Sequence, residues 1–135
     1  MGADPQQAVA HERTLDGVLG FDYTETGEEE ARARFTVADE HRQMMGIVHG
    51  GAYAALAESL TSIATHLAVQ PDAFAVGQSN ATTFLRPVSE GNIEATARRR
   101  HRGRTTWVWD VDFHDEQGRL SATSRVVIAI RRVAG

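Results

Sequence analysis

The sequence predicts an α+β fold in which one long central helix packs against a curved antiparallel β-sheet. Three observations lead to this prediction. An apolar pattern with helical spacing lies in the middle of the chain, segments of alternating apolar and polar residues flank it, and short turn motifs separate those segments. The resulting order is two strands, one helix and about four long strands, which a single helix-on-sheet arrangement accommodates.

The length and composition limit the kind of protein this is. A chain of 135 residues fits one domain over 1–135, with 1–14 as an N-terminal extension that is either a short helix or disordered. It contains no apolar run long enough to span a membrane, and its start lacks the pattern of a secretion signal. We therefore expect a cytoplasmic protein that does not bind membranes.

The numbers of charged residues, cysteines and histidines argue against several further classes of protein. There are 14 basic and 18 acidic residues, so the net charge of −4 gives no general attraction to nucleic acid. With no cysteine, the chain has no disulfide, no cysteine-ligated metal and no thiol nucleophile. Its six histidines show no metal-ligand spacing, and we predict no metal site.

The first two strands precede the helix. Residues 30–38 alternate between apolar and polar side chains, which is the pattern of a strand with one buried face. Residues 17–26 are interpreted as the partner strand.

The central helix is predicted from about Gly50 to Val69, and Pro71 ends it because proline restricts the residue before it. Its apolar stripe has helical spacing and consists of Leu56, Leu60, Ile63 and Leu67. The opposite face is small and weakly polar and consists of Gly51, Ala55, Glu58, Ser62 and Thr65. Because Glu58 is the only formally charged side chain of this helix, we expect that face to be covered by a second subunit in a homodimer.

Four strands follow the helix. The inward positions of the last three are apolar or small and are Ile93, Ala95 and Ala97, then Trp107, Trp109, Val111 and Phe113, then Ser124, Val126, Ile128 and Ile130. Turn motifs at 89–92, 102–104 and 115–118 predict hairpins in an antiparallel meander.

The helix suggests an acyl-transfer site. Its first amides, near Gly50 and Gly51, carry unpaired N–H groups at the positive end of the helix dipole, which suits a carbonyl oxygen that becomes negative. Glu58 is a candidate base or nucleophile. Eight residues at about 1.5 Å each separate Glu58 from Gly50 by about 12 Å along the axis, too far for both to contact one carbonyl. A two-fold dimer could instead bring Glu58 of one chain to Gly50 of the other, giving two shared sites.

Residues 49–62, HGGAYAALAESLTS, with Gln43 six residues before His49, resemble the hotdog-fold acyl-CoA thioesterases of the phenylacetate-degradation type. Within them the chain is similar to the branch that contains the 4-hydroxybenzoyl-CoA, 1,4-dihydroxy-2-naphthoyl-CoA and enterobactin-biosynthesis proofreading thioesterases. Residues 80–91, NATTFLRPVSEG, and 113–125, FHDEQGRLSATSR, match that branch too. The resemblance implies a sheet wrapped around the helix, a dimer that pairs into a homotetramer, and hydrolysis of a thioester without a cofactor, since coenzyme A is part of the substrate.

The resemblance also implies roles for residues. Glu58 attacks the thioester carbon or activates water, and the Gly50 N–H binds the thioester oxygen. Gln43 and His49 lie nearby, and the Ser62 hydroxyl helps to place the acid or the water. His49 alone would be a capping or packing residue, and Gln43 and Ser62 would be ordinary polar residues.

Substrate contacts are expected from Gly51, from Phe84 and from a basic cluster. Phe84 stands where the enterobactin enzyme has a histidine, so the two substrates need not be identical. Arg98, Arg100, Arg102 and Arg104 could bind the phosphates of coenzyme A. The same cluster could instead be a solvated hairpin end, and nucleic-acid binding is not favoured because no RNA-binding aromatic motif accompanies it.

The leading hypothesis is therefore an acyl-CoA thioesterase for aromatic or medium-sized acyl groups. One alternative is the same hydrolysis on an acyl-carrier protein, for example in proofreading. Another is a non-catalytic module that binds acyl-CoA, and a dehydratase of the same fold is less favoured.

Overall fold

The computed structural model describes residues 8–133 and contains one long helix against one six-stranded antiparallel sheet. Its helices are α1 (Leu15–Leu19) and α2 (Gly50–Val69), with single 3₁₀ turns at His11–Arg13 and Asp39–His41. Its strands are β1 (Asp22–Thr26), β2 (Glu30–Thr36), β3 (Ala73–Phe84), β4 (Asn92–Arg102), β5 (Thr106–His114) and β6 (Leu120–Arg132). Helix α2 contacts all six strands, so the sheet wraps around it as predicted.

The N-terminal region differs from the prediction. Residues 17–19 were assigned to a strand but belong to α1, which begins after Thr14 because the Thr14 side chain accepts the N–H of Gly17 at 3.1 Å. Gly20 ends α1 in the left-handed conformation, at φ +64°, which glycine adopts without strain. The partner strand of β2 therefore starts only at Asp22. Of the predicted extension 1–14, residues 1–7 lie outside the described residues.

The strand order is β1-β2-β4-β5-β6-β3. Strands β4, β5 and β6 form the predicted meander, but β3 pairs with β6 and lies at the edge of the sheet. The hairpin predicted at residues 89–92 is therefore wrong. Alternation identifies the buried face of a strand but not its neighbour, and β4 pairs with β2 instead, in a register that runs from Glu30 opposite Arg98 to Thr36 opposite Asn92.

The buried face of α2 is rotated relative to the prediction. It consists of Ala52, Tyr53, Leu56, Ala57, Leu60, Thr61, Ala64 and Thr65. Thr65 was placed on the opposite face, whereas Leu67, assigned to the apolar stripe, is 47 % exposed and Ile63 is half-buried. The small side chains Ala64 and Thr65 are fully buried together with the large rings of Trp107 and Trp109 on β5, and alternating large and small residues fill a core without voids.

A buried hydrogen bond joins this helix face to the sheet. The indole Nε1–H of Trp109 donates to Thr65 Oγ1 at 2.9 Å, and neither side chain is exposed. We expect Thr65→Val to lower the free energy of unfolding by about 1–3 kcal/mol, because valine fills the same volume but leaves the indole N–H without an acceptor. Urea unfolding followed by tryptophan fluorescence measures this loss.

Thr61→Val is the matched control for that change. Thr61 is equally buried, but its hydroxyl donates to the Ala57 carbonyl, which the helix itself also uses, so its removal leaves no buried group unpaired. Equal losses in the two variants would contradict the role given to the Trp109 bond.

Candidate active site

A buried histidine fixes the segment that leads into α2. The His41 ring accepts the N–H of Ala38 on Nδ1 at 2.9 Å and donates from Nε2 to the Leu19 carbonyl. The His41 carbonyl accepts the N–H of His49 at 2.7 Å. These bonds hold the chain extended at His49, so that the helix begins at Gly50.

The first two backbone amides of α2 differ in their hydrogen bonding. The His49 ring caps the helix, with Nδ1 accepting the Gly51 N–H at 2.7 Å. The Gly50 N–H has no acceptor anywhere in residues 8–133. Of the two amides predicted as oxyanion donors, only that of Gly50 is therefore available at the positive end of this 20-residue helix.

Gly50 lies in the wall of an open cavity of about 340 Å³. The walls are mainly apolar and include Ile47, Val48, Tyr53 and Leu85. The ring of Phe84 lies so close to the Gly50 Cα that an added Cβ would overlap it, so glycine is required for this packing. A carbonyl bound to the Gly50 N–H would have its acyl group beside these apolar walls.

Gln43 lies at the same cavity. Its backbone N–H donates to the Ile47 carbonyl at 2.9 Å, and its side-chain oxygen accepts the N–H of Met45, so the loop between them is held in a tight turn. The structure thus brings Gln43, Gly50 and Phe84 together, although 41 positions separate the first from the last.

Glu58 lies elsewhere on the same helix. Its side chain is exposed and rests against Gly77 of β3, where a Cβ would come within 2.8 Å of Glu58 Oε1. The pairing of β3 with β6 shifts register between Gly77 and Ser79, and such bulges often adjoin active sites. Because α2 is continuous from Gly50 to Val69, Glu58 stays about 12 Å along the axis from Gly50 of its own chain.

Ser62 lies one turn beyond Glu58. It is half-buried at a shallow apolar depression formed with Ile63, His66, Leu67 and Ala75. Within one chain, the structure therefore separates the predicted residues into a Gly50 group and a Glu58 group.

The predicted phosphate-binding arginines lie on β4 and the turn after it. Three of them have carboxylate partners, since Arg98 lies 3.4 Å from Glu30, Arg100 lies 3.4 Å from Asp110 and Arg102 lies 3.7 Å from Glu28. Arg104 has no carboxylate within 4.0 Å in the part of the chain that is described. It faces a cleft with Arg102 and Arg132 beside Val69, at the far end of α2 from Gly50.

Sequence reasoning missed Tyr53 as a site residue. It is only three positions after Gly50, but in the sequence it is one aromatic residue among the apolar residues of a helix. The signal that identifies it is its position one helical turn from the free amide, which places it in the wall of the same cavity.

Residues 8–133 lack two further features. No three histidine or acidic side chains there are grouped so that they could hold a metal ion. In the same range no helix has the length and apolarity needed to cross a membrane.

Comparison with known proteins identifies relatives of the chain. The sequence profile of the thioesterase superfamily matches residues 45–122. The proofreading thioesterase EntH of Cronobacter turicensis is 37 % identical over 117 residues, which is 87 % of this chain and 85 % of that protein.

Solved structures give the same result for the fold. A mutant thioesterase from Pseudomonas aeruginosa superposes with a TM-score of 0.86 at 31 % identity, covering 91 % of this chain and 89 % of that one. A thioesterase from Haemophilus influenzae superposes with a TM-score of 0.85 at 27 % identity, covering 96 % and 95 %.

Proposed function

Because the chain belongs to the thioesterase superfamily and is a thioester hydrolase with the hotdog fold, we propose that it hydrolyses acyl-CoA thioesters with aromatic or medium-sized acyl groups. The observation that carries this proposal is the Gly50 N–H, which has no acceptor within residues 8–133 and lies at the positive end of α2, in the wall of a mainly apolar cavity. The thioester oxygen accepts this N–H, and the bond strengthens as the oxygen becomes negative.

The leaving group simplifies the chemistry. A thiol with a pKa near 8.5 leaves as a thiolate with little help from a general acid. One carboxylate and one oxyanion donor are then sufficient, and no cofactor is needed. In our proposal Glu58 either attacks the thioester carbon directly or removes a proton from the attacking water. Ser62 helps to orient it, and Gln43 and His49 hold the segment around Gly50.

The site requires two chains. Glu58 and Gly50 of one chain cannot contact the same carbonyl, so we propose a homodimer in which the Glu58 of each chain serves the Gly50 of the other. Strand β3 supports this arrangement because it lies at the edge of the sheet, spans 12 residues from Ala73 to Phe84, and has no charged residue or proline to prevent pairing.

Strand β3 also contacts helix α2 near Glu58. The Asn80 side chain of β3 donates to the Ala54 carbonyl of α2 at 2.8 Å, and Gly77 of β3 contacts Glu58. A second copy that adds its own β3 at this edge would cover the exposed side of α2 near Glu58. We propose that two such dimers form a homotetramer.

Coenzyme A recognition is proposed for the basic cluster and for Gly51 and Phe84 near the thioester. Arg104, which has no carboxylate partner in residues 8–133, is the member best able to bind a phosphate. Binding through Arg98 or Arg100 would require the phosphate to compete with Glu30 or Asp110.

A second candidate is hydrolysis of acyl groups carried on a protein. It is favoured by the 37 % identity to a protein named as a proofreading thioesterase. The reacting thioester is chemically the same in both cases, since only the group beyond the thiol differs. A non-catalytic acyl-CoA-binding module is the remaining alternative.

The test is release of free thiol from one acyl group presented on two carriers. We expect the wild-type protein to hydrolyse benzoyl-CoA and hexanoyl-CoA, and to show a higher kcat/KM on coenzyme A than on a phosphopantetheinylated carrier protein with the same acyl group. A higher kcat/KM on the carrier protein would favour the second candidate. Binding of acyl-CoA without thiol release from either carrier would favour the non-catalytic module.

A further inference from the structure

His41 is a buried histidine whose ring bonds two distant parts of the backbone. It is 3 % exposed, and the centroid of its ring lies 4.6 Å from that of Phe35. Nδ1 accepts the N–H of Ala38 at 2.9 Å, while Nε2 donates to the carbonyl of Leu19, the last residue of α1. A neutral imidazole has one acceptor and one donor, so these two bonds use both. The ring therefore ties the end of α1 to the 3₁₀ turn that His41 closes.

Residues 41–49 form a short hairpin that leads from this histidine to the start of α2. Within it, Arg42 lies opposite Val48 in an isolated antiparallel bridge. The two ends of the hairpin are joined by the His49 N–H, which donates to the His41 carbonyl at 2.7 Å. The position of that carbonyl therefore determines where His49, the residue that precedes α2, lies.

The Gly50 N–H depends on this anchor. It lies in the peptide plane that joins His49 to Gly50, so a rotation of His49 redirects it. His49 is held on both sides, because its own N–H is bonded to His41 and its ring accepts the Gly51 N–H at 2.7 Å. A reacting group that is misplaced by about 1 Å can lower the rate about 10²-fold, so this alignment matters for a catalytic donor.

The hairpin has other attachments to the fold that do not involve the histidine ring. The Val48 N–H donates to the Val88 carbonyl at 2.8 Å, and the Arg42 guanidinium donates to the Ser89 carbonyl at 2.9 Å. Both acceptors lie in the segment before β4. Loss of the two ring bonds of His41 should therefore shift the start of the hairpin without detaching it from the protein.

We propose that His41 is a positioning residue for the oxyanion donor: its ring fixes the His41 carbonyl, and that carbonyl aligns the Gly50 N–H through His49. The proposal rests on the proposed function, since it takes the Gly50 N–H to bind the thioester oxygen. That bond strengthens in the transition state, so poor alignment lowers kcat and leaves KM nearly unchanged.

Two substitutions of His41 test the role of the ring bonds. His41→Phe keeps an aromatic ring beside Phe35 but makes neither bond, and we expect its kcat for benzoyl-CoA and hexanoyl-CoA to fall about 10- to 10²-fold. His41→Gln should recover most of this loss, because its carboxamide has both an acceptor and a donor and glutamine commonly bonds the cap N–H from this position of a turn. A glutamine variant as slow as the phenylalanine variant would contradict a role through these bonds.

A double-mutant cycle with Gly50 separates positioning from a general structural effect. Gly50→Ala keeps the backbone N–H, so adding His41→Phe to it should lower kcat by the same factor as in the wild type. Gly50→Pro has no N–H, so adding His41→Phe to it should cause no further loss of kcat. Equal factors in the two backgrounds would overturn the proposal, because His41 would then act independently of that amide.

Thr65→Val is the matched control for lost stability. It removes a buried hydrogen bond in the core, where Thr65 accepts the indole N–H of Trp109, and should keep the wild-type kcat and KM. If Thr65→Val lowered kcat as much as His41→Phe, lost stability alone would account for the effect and the proposal would fail.

Failure of this proposal is distinguishable from failure of the proposed function. Equal kcat values for Gly50→Pro and Gly50→Ala would exclude the Gly50 amide as the donor and overturn both. If no substrate releases thiol, the proposed function fails, and amide hydrogen exchange measured by NMR decides about His41. Faster exchange of the His49 and Gly51 amides in His41→Phe, with unchanged exchange in the middle of α2, would still support its positioning role, and unchanged exchange at both amides would overturn it.

Discussion

We expect Glu58→Gln to lower kcat for thiol release by at least about 10²-fold, the smallest effect expected for loss of a general base. Glutamine has nearly the same shape as glutamate but can neither attack the thioester nor accept a proton from water. The loss is larger if Glu58 is the nucleophile, because no bond to the acyl group can then form. The measurement is thiol release at saturating acyl-CoA, for wild type and variant at equal protein concentration.

The substitution should not disturb the fold. The Glu58 side chain is exposed, and its carboxylate makes no hydrogen bond or ion pair within residues 8–133. Circular dichroism and the size-exclusion profile should therefore match the wild type. Glu94→Gln, which changes an exposed carboxylate on β4, is the control and should retain full activity. Equal activity of Glu58→Gln and wild type would remove Glu58 from the mechanism.

The sequence predicted the individual helix and strands better than it predicted which strands pair in the sheet. The bounds of α2 follow from helical spacing and from Pro71, and the structure confirms Gly50–Val69. The inward residues of β5, Trp107 to Phe113 in alternation, are all buried as predicted. The position of β3 beside β6 could not be predicted, because pairing depends on which distant edge is free and not on the local period.

The helix faces show a second limit of sequence patterns. The apolar stripe at helical spacing placed Leu67 inside and Thr65 outside, but the structure has the reverse. Thr65 is buried because its hydroxyl accepts the indole N–H of Trp109, a bond that a leucine side chain cannot form. That choice depends on a partner 44 positions away, which helical periodicity does not contain.

Some features of the candidate site could likewise be predicted from the sequence, and others could not. The free amide at Gly50 follows from the helix start, which the sequence locates, and His49 engages only the neighbouring Gly51 N–H. The contact of Phe84 with Gly50 depends on tertiary packing and is visible only in the structure. The partners of the arginines likewise depend on strand register, which sets Arg98 of β4 opposite Glu30 of β2 and Asp110 of β5.

Gly50→Pro tests the oxyanion donor directly, because proline has no backbone N–H. The helix should tolerate it, since proline is favoured at the first helical position and His49, at φ −66° and ψ 135°, already has the extended conformation required before proline. The added Cβ will displace the Phe84 ring, and Gly50→Ala introduces the same carbon while keeping the N–H. We expect kcat of the proline variant to fall about 10²–10³-fold below that of the alanine variant. Equal rates for the two would exclude the Gly50 amide as the donor.

The same variant tests whether the site is shared between chains. Chains with Glu58→Gln and chains with Gly50→Pro should each have only the low residual rate when alone. In a mixed dimer with shared sites, one site combines an intact Gly50 with an intact Glu58 and the other site has neither. Random pairing of equal amounts makes half of the dimers mixed, so thiol release should recover to about a quarter of the wild-type rate after refolding the two together. Gly50→Pro refolded with itself supplies the baseline. If Gly50 and Glu58 acted within one chain, every site in the mixture would lack one of them and the rate would stay at that baseline.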